Sequence, residues 1–91
     1  MKELNWLTPA KEIAYNVERI LMKKTGLMTE GHVLVDHKKE SGIVCIWIIA
    51  LIENGKNLDW NMEVIGEGET FEEALVELKN GYQSWLVDLE D

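Results

Sequence analysis

Cysteine, proline and, toward the end of the chain, basic residues are scarce. Cys45 is the only cysteine, so no internal disulfide can form. It lies in Ile-Val-Cys-Ile-Trp, with neither a base nor a helix N-terminus to activate it. The expected role is a small buried hydrophobe in a reducing compartment. Pro9 is the only proline. Long apolar runs are missing as well: the longest, Ile43–Ile52, has ten residues, about half of the ~20 that a membrane helix needs. The opening Met1-Lys2-Glu3-Leu4-Asn5-Trp6 has no apolar signal core. A soluble, cytoplasmic protein without membrane contact is expected.

Bases nearly vanish in the last third. From Asn57 to Asp91 there are ten carboxylates and the single base Lys79, whereas residues 1–56 hold eight bases and seven acids, for a total of −8. A surface this negative repels phosphate and attracts basic protein. With 91 residues the chain is a single domain, 1–91, and at 46% apolar residues with four tryptophans it is too apolar for a disordered acidic tail.

Thr8-Pro9 reads as an N-cap followed by proline in the first helical position. Ala10, Ile13, Ala14, Val17, Ile20 and Leu21 then form one apolar stripe, and Lys23, Lys24 and Gly26 suit a helix end. These signals predict a helix over 9–25. Residues 31–37 are short and β-branched, hence a strand, and 38–42 a polar turn. The β-branched run Ile43–Ile52 predicts a second strand, and Asn54-Gly55 after it predicts a two-residue type I′ hairpin turn.

That turn would set Leu51 opposite Leu58, Ile49 opposite Trp60, Trp47 opposite Met62 and Cys45 opposite Val64. The third strand, 58–65, alternates cleanly, with Asn57, Asp59, Asn61 and Glu63 on its polar side. The shared core face would then be the odd-numbered side of strand two. Thr70 and Glu73 have capping-box spacing, and the stripe Phe71, Ala74, Leu75, Leu78, Tyr82, Trp85, Leu86, Leu89 predicts a helix over 70–89. Gly81 falls on its buried side, where it permits close backbone approach.

The expected fold class is therefore α+β, in the order αβββα: a three-stranded antiparallel meander with two helices on one face. On that register Val44, Ile46, Ile48, Ala50 and Ile52 face outward. An apolar row rimmed by polar groups is what an interface looks like, so Val44, Ile46, Ile48 and Ala50 are expected to form a homodimer contact, sheet on sheet. The alternative is that Leu4-Asn5-Trp6-Leu7 folds over the row.

No catalytic constellation is visible. His32 and His37 fall on opposite faces of a strand, and His32 and Asp36 are about 13 Å apart along one face, too far to share a metal. Gly66-Glu67-Gly68-Glu69 precedes a helix, but its glutamates would oppose a phosphate. No enzyme activity, cofactor or metal is expected. Glu67, Glu69, Glu72, Glu73 and Glu77 are the candidate surface for a basic protein partner.

Two family resemblances follow. The order αβββα is similar to the double-stranded RNA-binding domain, which implies phosphate contacts from lysines opening the last helix, from the first helix and from the loop after strand one. Here that helix opens Glu69-Thr70-Phe71-Glu72-Glu73, and only Lys23, Lys24, Lys38 and Lys39 remain for duplex RNA, so nucleic acid is the secondary expectation. Gly68-Glu69-Thr70-Phe71-Glu72-Glu73-Ala74-Leu75, followed by Trp85-Leu86, resembles a segment of HicB-like antitoxin domains, whose fold occludes a small RNase toxin. The chain differs in the helix expected before the first strand, and no following DNA-binding segment is expected. What the resemblance implies is a small acidic antitoxin or inhibitor of bacterial or phage type.

Overall fold

The computed structural model describes residues 7–55 and 57–90, with side chains described for all of these except 54, 57–63 and 90. The elements are α1 (Leu7–Thr25), β1 (Thr29–Lys38), β2 (Ile43–Asn54), β3 (Asn57–Gly68) and α2 (Phe71–Glu90). The strands form one antiparallel sheet in the order β1-β2-β3. Both helices pack on the same side of it, around a single core. This is the α+β, αβββα arrangement that the sequence predicts. No helix among the described residues is long and apolar enough to cross a membrane.

Local chemistry fixes the helix ends. α1 is already helical at Leu7, the first described residue and two positions ahead of the expected start; Pro9 is tolerated early in a helix because its missing N–H needs no helical partner there. At the other end Thr25 Oγ1 donates to the Leu21 carbonyl (2.7 Å), and Gly26, at φ 73°, donates its N–H to the Met22 carbonyl (2.8 Å). α2 is capped by Thr70, whose Oγ1 accepts the Glu73 N–H at 3.1 Å. The Glu73 carboxylate reaches one residue further back than a capping box requires and accepts the Glu69 N–H at 3.3 Å.

The register differs from expectation and reverses the sheet. Asn54 pairs with Asn57, so the turn opens at Gly55, which takes φ 68°, and not at Asn54. A β-bulge follows, where Leu51 pairs with Trp60 but Ala50 pairs with Met62. The extra residue, Asn61, changes which β3 positions stand beside each face of β2. Beyond it Ile48 pairs with Val64, Ile46 with Gly66 and Val44 with Gly68. The expected side-chain alternation over 58–63 lies outside the described side chains.

The core is therefore built on the even-numbered row of β2. Ile46, Ile48 and Ala50 are 0% exposed and Val44 2%. They lie under Ala10, Ile13, Ala14, Val17 and Leu21 of α1 and Ala74, Leu75 and Leu78 of α2. This corrects the expectation that Val44, Ile46, Ile48 and Ala50 form an outward dimer contact: the helices cover them. The other cover considered, Leu4-Asn5-Trp6, lies outside the described residues.

Glycine decides which face is covered. Gly31, Gly66 and Gly68 all register on the even side, opposite Ala50, Ile46 and Val44. A Cβ at Gly31 would run into the Ala14 carbonyl, one at Gly66 into the Ala74 carbonyl and the Leu78 nitrogen, and one at Gly68 would meet the Ala74 nitrogen at 2.7 Å. Helix backbone thus rests directly on strand backbone. Gly81 within α2 fits as expected, since a Cβ there would meet Val64 Cγ1 at 2.8 Å.

The face assignment has a direct consequence for stability. Ile46→Asp, which buries an unpaired charge, is expected to lose about 4 kcal/mol or more, and Gly66→Ala about 1–3 kcal/mol. Leu34→Asp, on the opposite face, should stay within about 1 kcal/mol of wild type. Urea unfolding followed by circular dichroism checks all three; Leu34→Asp proving as costly as Ile46→Asp would contradict the assignment.

Candidate functional site

With both helices on the even side, no helix among the described residues lies over the odd side of the sheet. Antiparallel pairing sets its residues in rows across the strands: Leu34–Trp47–Ile65 in the middle, Asp36–Cys45–Glu67 on one side, and His32–Ile49 followed by Glu30–Leu51 on the other. Leu34 is 45% exposed and Ile65 39%, Trp47 and Leu51 are half-buried, and Ile49 and Cys45 are buried on the central strand. Glu30, Asp36, Glu53 and Glu67 are all exposed around this apolar centre. The arrangement is an apolar patch with a rim of carboxylates.

The structure divides the acidic residues singled out from sequence. Glu67 belongs to the open sheet face, beside Cys45. Glu69, Glu72, Glu73 and Glu77 are exposed at the entrance and first turns of α2, which covers the other side. Glu73 is tied down as the acceptor for the Glu69 N–H. The five therefore do not form one patch. Sequence reasoning missed Leu34, Trp47 and Ile65, because it had assigned the odd side of β2 to the core.

Cys45 sits at the edge of the open face, and its thiol points toward Glu67 Oε2 at 3.8 Å. Burial, first, and then the negative charge of Glu67 push its pKa above the ordinary thiol value; Lys38 opposes this, and the hydrogen bond to Glu67 and the charge of Asp36 add to it. The group is protonated and inert at neutral pH. The two histidines lie on opposite faces, as expected. His32 Nε2 meets Glu30 Oε1 at 3.0 Å on the open side, while His37 packs edge-on against Phe71 with ring centroids 6.1 Å apart. Among the described residues no three His, Cys, Asp or Glu side chains form a group that could hold a metal ion.

The lysines considered for RNA are also separated. Lys23 and Lys24 lie in the last turn of α1, near the start of β1, and Lys38 and Lys39 lie at its far end. Ten residues of strand put about 30 Å between the two pairs.

Among the described residues, fold and surface define a small α+β arrangement with one sheet face covered by helices and the other open, apolar and acid-rimmed. No family model matches the chain, and neither a curated protein nor a solved structure matches it.

The state of Cys45 gives a pH test. The folded protein holds the thiol proton more tightly than the unfolded chain, so the stability this contributes is intact below the unfolded pKa of about 8.5 and is lost as pH rises through the folded value. Wild type should lose stability above about pH 8.5 more steeply than Cys45→Ala. Parallel alkaline limbs in urea titrations of the two proteins would contradict the burial of the thiol beside Glu67.

Proposed function

We propose that this chain is a non-catalytic protein-binding module of antitoxin or inhibitor type, from a bacterial or phage setting and acting in the cytoplasm, that takes a basic protein partner on its open sheet face. The observation that carries this reading is the row Leu34–Trp47–Ile65, which no described helix covers, inside a rim of Glu30, Asp36, Glu53 and Glu67. Protein interfaces have this anatomy: an apolar centre that loses its water and a polar rim that stays wet. The rim favours a partner of positive charge. A contact surface carrying lysine or arginine around an apolar centre complements it, whereas phosphate is repelled.

The carboxylates at the entrance and on the first turns of α2 act at longer range. Glu69, Glu72 and Glu77 are exposed and add to a negative field that accelerates the approach of a cationic surface. The resemblance to HicB-like domains supports the same reading, since those domains work by occluding a small protein. Against duplex RNA stand the first turn of α2, with Glu72 and Glu73 where lysines are required, and the ~30 Å between the two lysine pairs.

Affinity capture from the native host, followed by binding measurements on whatever basic protein is retained, tests the reading. A Leu34→Asp/Ile65→Asp double variant should weaken binding on the order of tenfold or more, because it removes the centre of the contact. Glu72→Lys/Glu77→Lys should act chiefly on the association rate and on its salt dependence. A partner bound equally well by the sheet variant would overturn the assignment. A duplex-RNA mobility shift at moderate salt, where none is expected, would overturn the class.

A further inference from the structure

β1 is an edge strand of an open sheet, and two contacts show which of its backbone groups face outward. The Glu53 N–H donates to the Met28 carbonyl at 2.8 Å, which continues the β1–β2 ladder through the even-numbered residues of β1. The Gly31 N–H points the other way and donates to Glu18 Oε1 on α1 at 3.0 Å. In an antiparallel ladder alternate residues turn both backbone groups to the same side. Glu30, His32, Leu34 and Asp36 therefore bond β2, while Gly31, Val33, Val35 and His37 present N–H and C=O to the free edge. Glu18 occupies the Gly31 N–H. Among the described residues no backbone bond reaches the outward groups of Val33 and Val35. The side chains here are apolar and open as well: Leu34 is 45% exposed and Val35 41%.

We propose that β1 pairs antiparallel with β1 of a second copy of this chain, on a two-fold axis passing through Leu34. Such a pairing is self-complementary, so each contact off the axis occurs twice. Registers that bring the outward groups together at the centre of the strand place the axis at Val33, Leu34 or Val35. With the axis at Leu34, Val33 faces Val35 of the second copy, and the two symmetric pairs exchange four N–H···O=C bonds. Leu34 meets its own counterpart on the open face, in the closely spaced pair of the ladder. Glu30 then faces Lys38, and His32 faces Asp36.

The neighbouring registers lose this match. An axis at Val33 sets Glu30 against Asp36, and an axis at Val35 sets His32 against Lys38 and Leu34 against Asp36. The charges of this one strand select a single register. Pairing in it joins the two Leu34–Trp47–Ile65 rows into one apolar band across six strands and neutralises carboxylates at the seam. The contact needs no other partner, so it stands or falls separately from the proposed binding of a basic protein.

A single strand pair buries less than the roughly 1,200–2,000 Å² of a standard stable interface, so the dimer is concentration-dependent. Sedimentation equilibrium of the whole chain from about 1 µM to about 1 mM should show a monomer–dimer equilibrium. Glu30→Lys and Lys38→Glu, each placing two like-charged pairs in the dimer, should each raise its dissociation constant about tenfold. The combined double reversal should restore the wild-type value. Positions 30 and 38 are about 26 Å apart in one chain and meet only across the axis. Val35→Pro deletes an outward N–H that no backbone bond among the described residues uses, and it should abolish the dimer while circular dichroism remains unchanged. A wild type that is monomeric throughout the range overturns the proposal. So does a dimer indifferent to the single reversals or not restored by the double one.

Discussion

Helix backbone resting on strand backbone is the contact from which the rest of this structure follows. β2 is apolar on both sides, so hydrophobicity alone does not choose which side the helices cover. Space chooses. On the even side Gly31, Gly66 and Gly68 leave no side chain between strand and helix, and Ala14 and Ala74 meet them with equally small groups. On the odd side Leu34, Trp47 and Ile65 stand in a row and hold any helix away. A bulge at Asn61 completes the arrangement by bringing Val64 and both β3 glycines to the even side.

This choice converts a charge asymmetry along the chain into one across the molecule. α1 carries Lys11, Arg19, Lys23 and Lys24 against Glu12 and Glu18, while α2 carries five acids against Lys79. The two helices lie over the same face of the sheet and divide it by sign. The other face keeps carboxylates at its margins and apolar side chains at its centre. Cys45 registers how negative that margin is, since the charges of Glu67 and Asp36 add to burial in holding its proton.

Much of the fold was legible in the sequence because it depends on local chemistry. Thr70 and Glu73 announced the start of α2, Gly26 the end of α1, and the phase of the apolar stripe carried α2 through Gly81 without a break. Sheet orientation was not legible from alternation, because β2 has no polar side to set a phase. The Asn54-Gly55 turn supplied a register, but the chain turns one residue later, and no residue type marks the bulge. The usable signal was the glycines. Gly31, Gly66 and Gly68 within strands each indicate close backbone approach, and together they identify the covered face. The candidate surface inherited the same error: the row first assigned to an interface is the core, and the row assigned to the core is open.

The seating of the helices is most directly measured by nuclear Overhauser contacts in a NOESY spectrum of the folded protein. Contacts are expected from the Gly66 α-protons to Ala74 and Leu78 and from the Gly31 α-protons to Ala14, with none from either helix to the Trp47 indole. Helix contacts to Trp47 and Leu34, without contacts to Ile46 and Ile48, would contradict this seating.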